Sequence, residues 1–249
     1  MEFTSKITSK VQPTSNIFKN LTIFIKDPMV MCNIYSDAIT FYGMAAVKFW
    51  GAEYMEKILN VVDPTKRMIL YGSLCLTGPT FGFIVGGAVG SWIGGYGVKK
   101  AILVTLLLDL LACGIGFPTP YFDKDTLALY LILSWLFYCF STAVIPLETG
   151  IILTSVDEKI RGDVLSFTNF GLNLIGNLPP SYIYGLIQDH YGKEHPTLAM
   201  KCVFYFRLSS LIALIIASIY RYVKKDKTEL TKVINEEEDV EHMKKMQNR

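Results

Sequence analysis

Leu76 to Leu103 reads LTGPTFGFIVGGAVGSWIGGYGVKKAIL, an apolar run studded with eight glycines that breaks at Gly94 and Gly95, meets two lysines and resumes as a second apolar run. In a water-soluble helix each of those glycines costs about 1 kcal/mol of propensity relative to Ala. In a bilayer the objection weakens, because small residues let helix backbones approach closely and Gly is commoner in membrane helices. The stretch therefore reads as two tightly packed membrane helices joined by a short basic loop.

The rest of the chain continues that reading outward. Of 249 residues, 51% are hydrophobic and 18% charged, with a mean hydropathy of +0.34. Soluble domains average roughly a quarter charged. Six apolar runs cover about 28–50, 68–93, 100–117, 127–153, 164–187 and 198–223, the third being the shortest. Each approaches the roughly 20 residues that cross about 30 Å of hydrocarbon. The fold class expected is all-α: a polytopic membrane protein of six transmembrane helices, with a polar tail at 1–27 and a charged tail at 224–249.

Met1 to Asn20 is rich in Ser, Thr and Lys and lacks the apolar core of a signal peptide, so the first membrane helix is expected to direct insertion. With six spans both termini share a side, and that side collects twelve lysines and arginines against six on the other. By the positive-inside rule both termini are expected in the cytoplasm. Plasma membrane and endolysosomal membrane fit equally.

Enzyme chemistry finds little footing. The five cysteines are scattered through apolar runs without metal-ligand spacing, and His190, His195 and His242 lie in loops or the tail. The glycine-rich run lacks the Lys-Ser/Thr of a phosphate-binding loop. No catalytic residue, metal or cofactor is expected, and no basic patch interleaves with aromatics to hold nucleic acid.

Charged and amide residues inside the runs are the candidates for a solute path, because polar groups in hydrocarbon are expensive and usually face a cavity or a partner. Asp37 and Lys48 stand eleven residues apart, which at about 100° per residue returns them to one helix face with Phe41 and Met44 between. Asp37 favours a cavity, whereas Lys48 divides between a cavity and snorkelling to the outer interface. Glu148 is either a protonatable carboxylate that couples transport to protons or an interfacial one. Arg207 either binds an anionic head group or snorkels outward. Asp37 or Glu148 with Arg207 or Lys48 are read as the available intramembrane charge pairs. Asn169, Asn173 and Asn177 repeat at four-residue steps as one polar stripe, suited to interhelical contact or to lining a cavity. Pro179 and Pro180 remove two backbone donors and should kink the helix, as a gate hinge or as a fixed bend.

The loop from Gly90 to Lys100 carries a resemblance. Gly90, Gly97 and Lys99, with Lys100 completing a basic pair, match the signature of the major facilitator superfamily, in which Gly is followed by an Asp, a basic residue, a second Gly and a basic pair. Gly94 stands at the Asp position and Gly95 where a basic residue is common, so the usual cytoplasmic charge lock is not expected. Phe49 and Trp50 with Tyr54 and Met55, TGPTFGFIVGGAVG in run two, and Arg161 followed by SFTNFGLNLIGNLPPSYIYGLIQD in run five resemble the C-terminal six-helix half of Spinster-like transporters, including Gly176, Pro179 or Pro180, Gly185 and Asp189.

The resemblance covers about residues 28–223. It implies a bundle of two six-helix halves with the solute between them, moved by alternating access. The second half would be the missing N-terminal half of a twelve-helix transporter, a second copy or another chain. The Spinster likeness implies an amphiphile such as a lysophospholipid or sphingolipid, or a sugar. The rival expectation is a non-transporting membrane scaffold or regulatory partner, or a truncated, non-functional half.

Overall fold

The computed structural model describes residues 25–247, with side chains described as far as Val223. The polar tail at 1–27 lies outside the described residues up to 24, as do the side chains of the 224–249 tail. Helix α1 spans Pro28–Lys57, α2 Pro64–Trp92, α3 Lys99–Gly116 and α4 Leu127–Ser155. Helix α5 (Arg161–Gly171) runs through a π-helical segment, Leu172–Asn177, into α6 (Leu178–Tyr191), and α7 spans Leu198–Gln247. The described residues are otherwise short 3-10 turns and loops, with no strand among them.

The first two helices start alike. Asp27 accepts from the backbone N–H of Met29 at 3.0 Å and Asp63 from that of Thr65 at 2.9 Å, each followed by a proline whose missing N–H costs nothing there. At the other end of α2, Gly94 and Gly95 both take φ of +92°, where side-chain-bearing residues are strained, and the chain reverses there into α3.

Helix α4 is the hub: α2 and α3 both pack on it, α1 crosses it, and α1 packs in turn on α7 and the π segment. This corrects the reading of Leu76–Leu103 as two helices packed on each other, because α2 and α3 each lean on α4 instead. Gly78, Gly82 and Gly86 are buried one turn apart on a single face of α2. A Cβ on Gly82 would overlap the Cys139 carbonyl and the Thr142 hydroxyl, and one on Gly86 would overlap the Ala143 carbonyl. The glycines serve close packing, but against a helix that is not their neighbour in sequence.

Among the described residues four helical stretches are long and apolar enough to cross a membrane: Pro64–Trp92, Lys99–Tyr121, Lys124–Ser155 and Leu198–Val223. They are consistent with a membrane protein. Buried residues make up 17% of the apolar window of α2 but 56% of that in α4. Helix α2 is therefore held by its glycine face and, near its start, by Leu74 in the core and Tyr71 donating to the Val47 carbonyl of α1, while its other side, with Leu76, Phe81 and Ile84, is open.

Candidate functional site

Arg207 on α7 is fully buried, and what surrounds it organises the interior. Its guanidinium is paired with Asp109 on α3 and also donates to the Ser210 hydroxyl, which donates on to the second Asp109 oxygen at 2.7 Å. Gly43 on α1 makes the space: a Cβ there would stand 3.0 Å from Arg207 Cδ. This overturns both readings of Arg207, since it neither snorkels nor offers itself to a head group. A guanidinium in a low-dielectric interior is retained only with a partner and hydrogen bonds for its remaining protons. Asp109 also corrects the expected set of intramembrane charge partners, which omitted it.

Asp37 on α1 and Glu148 on α4 are 1% and 0% exposed. Their carboxyls meet across the α1–α4 seam, within electrostatic reach of Arg207. Among the described residues none of their four oxygens has an aligned hydrogen-bond partner. Glu148 is therefore enclosed within the helix bundle. Ser36 reaches Glu148 from the preceding position of α1, and Asn33, Thr40 and Ser141 are buried on the same two helices.

Lys48 belongs elsewhere. The stripe it was expected to share with Asp37 divides: Phe41, Met44 and Lys48 line a cavity of about 520 Å³, whereas Asp37 is packed inside the bundle. The cavity lies between α1, α2, α4 and the π segment, with Pro79, Phe83, Tyr138 and Thr142 among its walls and Asn177 at its edge. Its size suits a small organic molecule or part of a larger one. Apolar walls with one ammonium and one amide can hold an apolar body and orient a polar end.

The asparagine stripe runs away from that edge. Asn177 donates to the Asn173 side-chain oxygen at 3.2 Å, and Asn173 to the Asn169 backbone carbonyl at 2.9 Å. Asn169 and Asn173 are exposed, so the stripe hydrogen-bonds along itself and faces away from the described helices. Pro179 and Pro180 sit in the first turn of α6, directly after the π-helical segment. Their missing N–H groups leave the carbonyls one turn earlier without the ordinary helical donor, which favours the wider turn. Gly176 lets that turn close on α1, since a Cβ would lie 2.8 Å from the Ala38 carbonyl oxygen.

At the signature loop, Gly90 is buried while Gly94 and Gly97 are open. What sequence reasoning missed is Tyr96, whose ring fills the groove between Gly90 on α2 and Gly150 on α4. Arg221 on α7 donates to the Tyr96 carbonyl at 3.2 Å, and the Lys99 ammonium lies 5.3 Å from the centre of the Tyr222 ring. Lys100 is exposed. A tyrosine plug thus joins α2, α4 and α7 where the motif has no acid. Two glycines sixty positions apart gave no sequence signal for it.

Compared with known proteins, the chain matches no protein-family model, and no curated protein matches it by sequence.

Proposed function

We propose that this chain is the six-helix half of a secondary transporter of the major facilitator type, Spinster-like in pattern, that moves a small organic or lipid-like solute by alternating access without nucleotide hydrolysis. The observation that carries the reading is the cavity of about 520 Å³ walled by α1, α2, α4 and the π segment, with Lys48 and Asn177 at its polar places. Helix α1 has 30 residues, a length of about 45 Å, and the broken α5–π–α6 segment runs from Arg161 to Tyr191. Both serve as the remaining spans of a six-span unit, because interrupted helices are tolerated where they line a cavity. Both termini lie in the cytoplasm in this reading, with the Tyr96 loop beside them.

The exposed Asn169 and Asn173 and the open side of α2 support a second six-helix half covering the cavity mouth, since exposed amides are poorly placed against lipid. In sealed vesicles from cells expressing the full chain, a fluorescent lysophospholipid and, separately, a labelled hexose are the probes. Uptake of one of them should fall tenfold or more in Lys48→Ala at equal amounts of folded protein. Unchanged uptake in that variant, or no uptake of either probe by the parent, rejects the assignment.

A further inference from the structure

We propose that the seam between α1 and α4 is a binding site for a sodium-sized monovalent cation, held by Asp37, Glu148 and the hydroxyl oxygens beside them. The inference rests on the membrane reading of the fold but not on transport.

The unused buried oxygens carry it. Both oxygens of Asp37, both of Glu148, Ser36 Oγ, Thr40 Oγ1, Asn33 Oδ1 and Ser141 Oγ are buried without an aligned hydrogen-bond partner among the described residues. All six residues are at most 1% exposed. Ser36, Asp37 and Thr40 lie within about one turn of one another on α1, whereas Asn33 is two turns from Thr40 and Ser141 two turns from Glu148, so Asn33 and Ser141 extend the polar seam without reaching the same ion. Ser36 and Asp37 both reach Glu148, so the two faces meet.

Burying a polar oxygen without a partner is costly, and more so for a carboxylate, so such a cluster calls for a ligand that uses it. Arg207 turns its outer nitrogens to Asp109 and Ser210 and hydrogen-bonds neither carboxyl, its Nε being itself buried without a partner, so its charge acts on the pair only through space. A proton shared by the two carboxyls would serve two oxygens and leave the Ser36 and Thr40 hydroxyls as they are. A hard cation draws on many oxygens at once, mixing carboxylates with neutral donors. Among the described residues no three His, Cys, Asp or Glu side chains gather as a stronger metal site would require. Two carboxylates diluted by neutral oxygens, with the Arg207 charge nearby, match a single positive charge better than a double one.

The test is thermal unfolding of the purified full chain in detergent, in sodium, potassium, calcium or N-methylglucamine chloride at constant ionic strength, with 22Na+ binding as a second readout. A ligand that binds only the folded state raises the midpoint in a saturable way. Sodium should raise the parent midpoint and bind saturably. Ser36→Ala and Thr40→Val should weaken the apparent affinity tenfold or more while matching the parent in N-methylglucamine, and Glu148→Gln should abolish the response. If Glu148→Gln does not fold, the two hydroxyl variants decide the matter. Equal midpoints in all four salts with no 22Na+ binding overturn the site, as does a response to calcium alone or a sodium response unaltered in both hydroxyl variants. Loss of lysophospholipid or hexose uptake would leave this result untouched, because binding is read without a transported solute.

Discussion

Helix α4 takes part in two seams that could hardly differ more. Toward α2 it presents backbone carbonyls and Thr142, met by three glycines, with no charge in the contact. Toward α1 it presents Glu148, met by Asp37 and Ser36 and overlooked by Arg207. The first seam gains close van der Waals contact over a long crossing, the means available in a bilayer where hydrophobic driving force between helices is lacking. The second carries polar groups that stability alone does not require, since a buried carboxyl without a hydrogen-bond partner costs free energy that an apolar side chain would not. One side of α4 therefore holds the bundle together, and the other holds the groups that function would use.

Substitutions can break this contrast. Gly86→Leu should disrupt the glycine seam, because the opposing atoms are the backbone of Ala143 and cannot move aside. Overpacking commonly costs about 1–3 kcal/mol, and a backbone obstacle places this change at or beyond the top of that range. Gly87→Leu, one residue along with nothing in reach, should leave the midpoint nearly unchanged. Equal losses of folded, monodisperse protein in the two variants would refute the glycine seam.

Between α3 and α7, beside the charged seam, Asp109→Asn strands a buried guanidinium and should cost about 3–5 kcal/mol. Asp109→Leu combined with Arg207→Met should recover most of that stability, measured by denaturant or thermal unfolding. A double variant as unstable as Asp109→Asn would mean that the pair is needed for folding after all. Gly43→Ala should cost about 1 kcal/mol, because Arg207 Cδ must give way by a few tenths of an ångström. Lys48→Ala should change stability by less than about 0.5 kcal/mol, since the side chain is exposed in the cavity, while reducing uptake.

The sequence made some of this legible and concealed the rest for physical reasons. Helix content is written in apolar runs and in the Asp-Pro starts at Asp27 and Asp63, which are local signals. The interior placement of Asp37 follows from the cost of a charge several residues inside a run. The partner of Arg207 is a different kind of fact. Asp109 lies in LLLDLLACG, where one acid in a leucine-rich segment gives no hint of which helix it faces. Pairing across ninety-eight positions is set by how α3 and α7 cross. The same limit hid the Tyr96 plug and directed the glycines of α2 to α3 instead of α4. Pro179 and Pro180 announced a departure from regular helix, but whether it would be a kink or a π turn depended on Gly176 admitting the wider turn against α1.

The central claim is that the cavity between α1, α2, α4 and the π segment is a watered solute path, and thiol labelling in sealed vesicles tests it most directly. On a Cys75→Ser background, Phe41→Cys on the cavity wall and Leu110→Cys on the outer face of α3 are treated with a membrane-impermeant maleimide. Phe41→Cys should be labelled at least tenfold faster than Leu110→Cys, and the transported lysophospholipid or hexose should slow it. Equal, solute-independent rates at the two positions would contradict the account.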